Sequence, residues 1–252
     1  MSSKATSSLS ATWIAFLLVL SANHADADEI RIAVATNFAA TMSALIERFE
    51  ELTGHRVVAS TASTGSHYAQ IRNGAPFDAF FAADDERPRL LEEQGLAVPG
   101  SRFLYAVGRL VLWSTRPGYV DDDGRVLDTG NFRFLAIAHP DIAPYGAAAR
   151  DVLAARGLWE SLQPRIVRGQ DIGQAYQFVA TGNAELGFVA WAQLARPERE
   201  VEGSYWLVPE SLHEPIAQEA VLLRDVPAAR AFIAFMQGPE ARDIIRSYGY
   251  GP

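Results

Sequence analysis

Four short turns hold the residues best suited to chemistry. Thr36-Asn37 and Ser63-Thr64-Gly65-Ser66 each follow a strand-like run, while Pro144-Tyr145-Gly146 and Asp171-Ile172-Gly173 each open a helical pattern. Every one of these turns presents backbone N–H groups that lack intrahelical acceptors, and two add hydroxyls, at the positive end of a helix dipole. In an open α/β sheet such turns line the crevice at the carboxyl ends of the strands. Four helix starts facing one cleft make a site for an anion. No lysine or motif arginine stands beside them. Neutral donors suit a fully ionised tetrahedral dianion, whereas a protonated phosphate also needs an acceptor. Six or seven charge-assisted bonds of roughly 1.5–3 kcal/mol each, less desolvation, support about 8–12 kcal/mol of binding. Any single turn reads as ordinary N-capping, Ser63 most plainly; the argument rests on four turns, two in each half.

The elements that must position these turns alternate along the chain. Strand-like runs at 30–35, 56–60 and 78–83 are each followed by a helical pattern, the βαβαβ rhythm of a parallel sheet covered by helices. The rhythm breaks at FLYAVGRLVLWS (103–114), a long apolar stretch interrupted by Gly108. A second set follows, with strands at 134–139, near 166–167 and at 186–191, and helices at 146–156 and 173–181. Strand character returns at 204–209 and 216–223, and two helices, 227–236 and 239–248, close the chain. This order predicts an α/β protein of two lobes, each a mixed, mostly parallel sheet flanked by helices. One lobe comprises residues 28–106 with 217–252, the other residues 107–216.

Composition narrows the chemistry. The chain has 252 residues, no cysteine, and a formal charge of -8. An acidic chain lacks the basic face of a nucleic-acid binder, and the missing cysteine removes disulfides, thiol nucleophiles and cysteine zinc sites. Residues 1–27 read as a cleavable export leader, with Lys4 before a short apolar run and Ala25-Asp26-Ala27 as the cleavage signal. Lys4 is the only lysine, so the processed protein has none for a Schiff base or a phosphate clamp. There is no Walker loop, no nucleophile elbow and no paired-histidine zinc motif. Asp121-Asp122-Asp123 reads as a solvated turn, Asp84-Asp85-Glu86 as a helix start, and Tyr176, Phe178 and Phe188 as core.

The turns sit within longer stretches: VATNFAATM, ASTGSHYAQIRNGAPFDAFFAAD, YAVGRLVLW, AHPDIAPYGAAA, GQDIGQAYQFVATGNAELGFVA and GPEARDIIRSYGYG. In this order they resemble the periplasmic molybdate-binding proteins of ABC importers across nearly the whole processed chain. The resemblance implies a class II binding-protein fold that closes on molybdate or tungstate in the cleft between lobes. It implies no enzyme activity and no cofactor, with molybdenum held as its oxyanion and not by direct metal ligands. The implied contacts fall on Thr36, Asn37, Ser63 and Thr64, on Tyr145, and on Ile172 through its backbone N–H. One branch of the family places a tyrosine near the end of a strand where this chain has Ala190 and Trp191, a departure that Tyr145 would offset. The implied setting is the periplasm, the implied partner an ABC permease, and the implied state a monomer. A sulfate receptor on the same fold, or an enzyme with a base in the cleft, would be the alternatives.

Overall fold

The computed structural model describes residues 28–197 and 199–251, so the leader expected at 1–27 lies outside the described residues. The first sheet starts with β1 (Glu29–Ala35), α1 (Ala39–Thr53), β2 (Arg56–Ala62), α2 (Thr64–Arg72), β3 (Ala79–Phe81), α3 (Glu86–Glu93) and β4 (Phe103–Gly108). The second sheet takes β5 (Leu110–Ser114), then α4 (Val126–Thr129), β6 (Leu135–Ala138), α5 (Pro144–Ala155), α6 (Trp159–Leu162) and β7 (Ile166–Gly169). It continues through α7 (Ile172–Ala180), β8 (Leu186–Ala190), α8 (Trp191–Leu194) and β9 (Ser204–Leu207). The chain then returns to the first sheet with β10 (Ile216–Leu222) and ends in α9 (Pro227–Met236) and α10 (Pro239–Ser247).

Strand order is β2-β1-β3-β10-β4 in one sheet and β7-β6-β8-β5-β9 in the other. In each, a parallel set carries the helices, and antiparallel strands complete the sheet. The expected α/β class with two mixed sheets is therefore what the chain forms. The apolar stretch 103–114 is cut into two strands that belong to different sheets, with only Arg109 between them. A second passage runs from β9 to β10 through a 3₁₀ turn at Glu210–Leu212. Near the C-terminus Gly251 pairs with Val107, covering part of β4 beside the first passage.

Burial explains why the strands read as continuous apolar runs. Every residue of β6 and β8 is buried, because helices cover both faces. Helix α1 turns Met42, Leu45 and Phe49 toward the sheet at helical spacing and stops at Gly54, whose φ of 75° closes the left-handed cap. Phe49 meets Phe232 of α9 edge-on at 5.0 Å, and Phe81 of β3 meets Phe232 at 5.8 Å. The Asp84-Asp85-Glu86 turn does start α3: Asp84 accepts the Arg87 N–H at 3.1 Å. Asp121 organises its turn by accepting the Arg125 N–H at 2.8 Å. Phe188 is fully buried, and Tyr176 and Phe178 pack against a core cluster.

Phe232 ties α1, α9 and β3 together with no exposed surface. Phe232→Ala is expected to cost about 3–5 kcal/mol of stability, read from urea unfolding.

Candidate functional site

All six residues singled out in the sequence line one small cavity between the sheets. Its walls are Ala35, Thr36 and Asn37 after β1, Ser63 and Thr64 after β2, and Ala83 after β3. From the second sheet come Ala143, Pro144 and Tyr145 after β6, and Asp171 and Ile172 after β7. The cavity measures about 10 Å³, room for about one water molecule. A hollow of about 380 Å³ beside β4 and α10 includes none of the six.

Local sequence places each donor. Pro144 at the first position of α5 fixes the helix start and puts Tyr145 in the first turn. Ile172 is the first residue of α7, whose cap is Asp171, accepting the Gln174 N–H at 3.0 Å. Ser63 caps α2 by accepting the Ser66 N–H at 3.3 Å. Thr36 and Asn37 form a 3₁₀ turn that runs straight into α1. The N–H groups of Asn37, Thr64, Tyr145 and Ile172 thus stand in first turns, where no intrahelical carbonyl can reach them.

The side chains divide into two kinds. Thr36 Oγ1 is buried and has no hydrogen-bond partner at all. A buried hydroxyl without a partner costs about 1–3 kcal/mol, so its place in the cavity wall asks for an acceptor from outside the protein. Thr64 Oγ1 accepts the Ala83 N–H at 3.0 Å, which leaves its own proton to give. The Asn37 amide nitrogen, in contrast, is engaged within the protein: Nδ2 donates to Gln218 Oε1 at 2.8 Å and to the Tyr250 hydroxyl at 3.1 Å. Tyr145 is 1% exposed, and Gln218 Nε2 donates to its hydroxyl at 3.4 Å. Burial pushes the Tyr145 hydroxyl well above the ordinary tyrosine range, so it stays protonated.

No cationic side chain lines the cavity, and its one carboxylate, Asp171, is engaged in capping α7. Among the described residues no group of acidic or histidine side chains could hold a metal ion. Ala190 is buried at the end of β8 and is not part of the wall. The sheets meet across the cavity: Gly65 N–H donates to the Ile142 carbonyl at 2.9 Å, and Arg87 reaches the Asp141 carbonyl at 3.2 Å.

Residues 30–251 match the model of the bacterial extracellular solute-binding proteins. The chain belongs to this family. This solute-binding protein is 52% identical over 247 residues to the molybdate-binding protein ModA of Azotobacter vinelandii, covering 97% of this chain and 98% of the relative. It is 49% identical over 229 residues to the molybdate-binding protein ModA of Rhodobacter capsulatus, covering 90% of this chain and 89% of the relative. Its structure superposes on the periplasmic molybdate-binding protein of Azotobacter vinelandii with a TM-score of 0.86 at 46% identity, over 88% of this chain and 99% of that one. A member of this family binds a solute and does not transform it, and what it binds is cargo and not a cofactor.

Sequence reasoning missed the polar support behind the cavity. Gln218 is fully buried, and with Tyr105 and Tyr250 it surrounds the Asn37 amide. The signal was available: a glutamine inside the apolar run of β10 can be buried only if partners meet its amide.

Gly173, in the first turn of α7, faces Thr36 so closely that an added Cβ would lie 2.5 Å from Thr36 Cγ2. Gly173→Ala is expected to part the sheets there and to speed amide hydrogen exchange several-fold at residues 35–38 and 171–174, with both sheets remaining protected.

Proposed function

We propose that this solute-binding protein captures molybdate, and tungstate with it, in the cavity between its sheets and delivers it to an ABC-type permease. The observation that carries this reading is the orphaned Thr36 hydroxyl, buried in a wall of first-turn N–H groups with no cation beside it. Such a wall is rich in donors, its one carboxylate capping α7, and a tetrahedral dianion accepts at all four oxygens. A cavity of about 10 Å³ is far too small for a sugar or an amino acid. The 52% and 49% identical relatives, both described as molybdate-binding, support the same cargo.

The binding residues in this reading are Thr36, Asn37, Ser63, Thr64, Tyr145 and Ile172. Thr36 and Thr64 give hydroxyl protons, Tyr145 gives its hydroxyl from the opposite sheet, and Asn37 and Ile172 give backbone N–H groups. Ser63 shapes the α2 turn and adds its hydroxyl. The lobes expected from the sequence, 28–106 with 217–252 and 107–216, meet at the strand ends, where Val107, Gly108 and Ile216 pair in the first sheet, and they rotate about the passages at Arg109 and between β9 and β10. An open cleft admits the anion, donors from both lobes surround it, and closure removes water. The closed form is what the permease recognises. The protein works in the periplasm, after loss of the 1–27 leader, as a monomer without a nucleic-acid partner.

Isothermal titration with molybdate, tungstate, sulfate and phosphate tests this reading, which predicts tight binding of the first two; failure of all four to bind would overturn it. Thr36→Val, which keeps the shape and removes the hydroxyl, is expected to weaken molybdate binding roughly 10- to 100-fold. Because burial raises the Tyr145 pKa, its proton remains where an exposed tyrosine begins to lose its own. Affinity is therefore expected to hold within about twofold from pH 7 to about 9.5 in the same titration.

A further inference from the structure

Two of the hydrogen bonds that cross between the sheets end on one short turn beside the cavity. The turn, residues 139–142 between β6 and α5, leads directly into the wall residues Ala143, Pro144 and Tyr145. Its successive carbonyls accept from two different helix starts of the first sheet. The Ile142 carbonyl takes the Gly65 N–H of α2 at 2.9 Å, and the Asp141 carbonyl takes the Arg87 guanidinium of α3 at 3.2 Å.

Each half of this contact is assembled within its own sheet. His139 closes the turn: its carbonyl accepts the Ile142 N–H at 3.3 Å and the Ala143 N–H at 3.0 Å, and its own N–H donates to the Gly169 carbonyl at 2.8 Å. Arg87 is held by Asp84, which pairs with the guanidinium and accepts the Arg87 backbone N–H, and neither side chain is more than 19% exposed. A long side chain already fixed in place gives up little rotamer freedom when it meets a partner. Gly65 allows no slack, since an added Cβ would stand 2.9 Å from the Ile142 carbonyl oxygen and 3.0 Å from its Cα. Gly65 lies within α2 and is not among the glycines of positive φ, so the missing side chain serves the close approach and not a turn.

Neither Gly65 nor Arg87 belongs to the cavity wall. A hollow of about 310 Å³, lined in part by Arg87 and Asp141, shares Ala83, Ala143 and Pro144 with the cavity. Parting the sheets at the 139–142 turn would therefore join the two spaces.

We propose that Gly65, Arg87 and the 139–142 turn form a latch that holds the lobes closed without touching the anion, and so sets how long the cargo stays bound. This inference rests on the reading of the cavity as a site closed by lobe rotation. A contact made only in the closed form stabilises that form equally for every anion enclosed. Gly65 and Arg87 are thus positioning residues, acting on the lifetime of the complex and not on the choice between anions.

The test follows release of radiolabelled molybdate chased by unlabelled molybdate, at about 0.2 M salt so that charge at the rim is screened. Arg87→Ala is expected to release molybdate roughly 3- to 10-fold faster, with association within about twofold and the ratio of molybdate to tungstate affinity unchanged. Gly65→Ala, a favourable substitution within a helix, should speed release at least as much by holding the lobes apart. Adding Arg87→Ala to it should change little, because the latch is already broken. In the protein without anion, Arg87→Ala should speed amide hydrogen exchange at Gly65 several-fold and leave the amides of β1 and β6 as they were. A loss carried by association, an altered preference between anions, effects that multiply in the double variant, or unchanged exchange at Gly65 would each overturn the latch. If the native protein binds neither molybdate nor tungstate, the proposed function falls, and the exchange at Gly65 alone decides the latch.

Discussion

A doubly charged anion taken out of water loses a hydration shell that no single hydrogen bond replaces. A cleft that holds one must therefore bring several donors to the same point, and this chain has to do so without a cation in the wall. Helix first turns are the economical source, since their N–H groups are unmet by the fold itself. The rest of the architecture follows from that requirement. Each sheet contributes helix starts at the carboxyl ends of its parallel strands: the turns after β1 and β2 in one, those after β6 and β7 in the other. Two sheets facing one another are needed because donors from one side alone could not enclose a tetrahedral ion.

Bringing the two walls together puts demands on residues that never touch the cavity centre. The passages between sheets must be short enough to keep the lobes in register, and Arg109 alone separates β4 from β5. Small residues stand where the walls approach: Ala35, Ala83 and Ala143 in the cavity itself, and Gly173 against Thr36. Larger side chains at these points would fill the space or hold the sheets apart. The negative charge of the whole molecule does not conflict with an anion site, because the field that matters there comes from local dipoles inside a space that excludes bulk water.

Much of this was legible in the sequence, for identifiable reasons. Strand-to-helix turns announce themselves by capping chemistry, and Ser63, Pro144 and Asp171 each mark a helix start that the structure contains. The two-sheet layout was legible because the βαβ rhythm breaks once, at Gly108, and then resumes. What composition and spacing could not convey was the division of labour within the turns. Thr36-Asn37 reads as two equivalent polar neighbours, yet one leaves a buried hydroxyl without a partner and the other sends its amide nitrogen backward into Gln218 and Tyr250. That difference depends on β10 and the C-terminal segment, which lie 181 and 213 residues farther along the chain. No local pattern carries a contact of that range.

The same distance explains why the buried polar network costs the fold little. Gln218, Asn37, Tyr105 and Tyr250 are all buried, and their side chains find partners in one another or in backbone carbonyls. Fully satisfied, such a group rigidifies its surroundings; with one member missing, it would leave several donors stranded at once. Because the Tyr250 hydroxyl also donates to the Asn37 carbonyl, this backing holds the first turn of the cavity wall in place. The helix first turns supply the donors of this wall, and the residues behind it keep one of those turns in place.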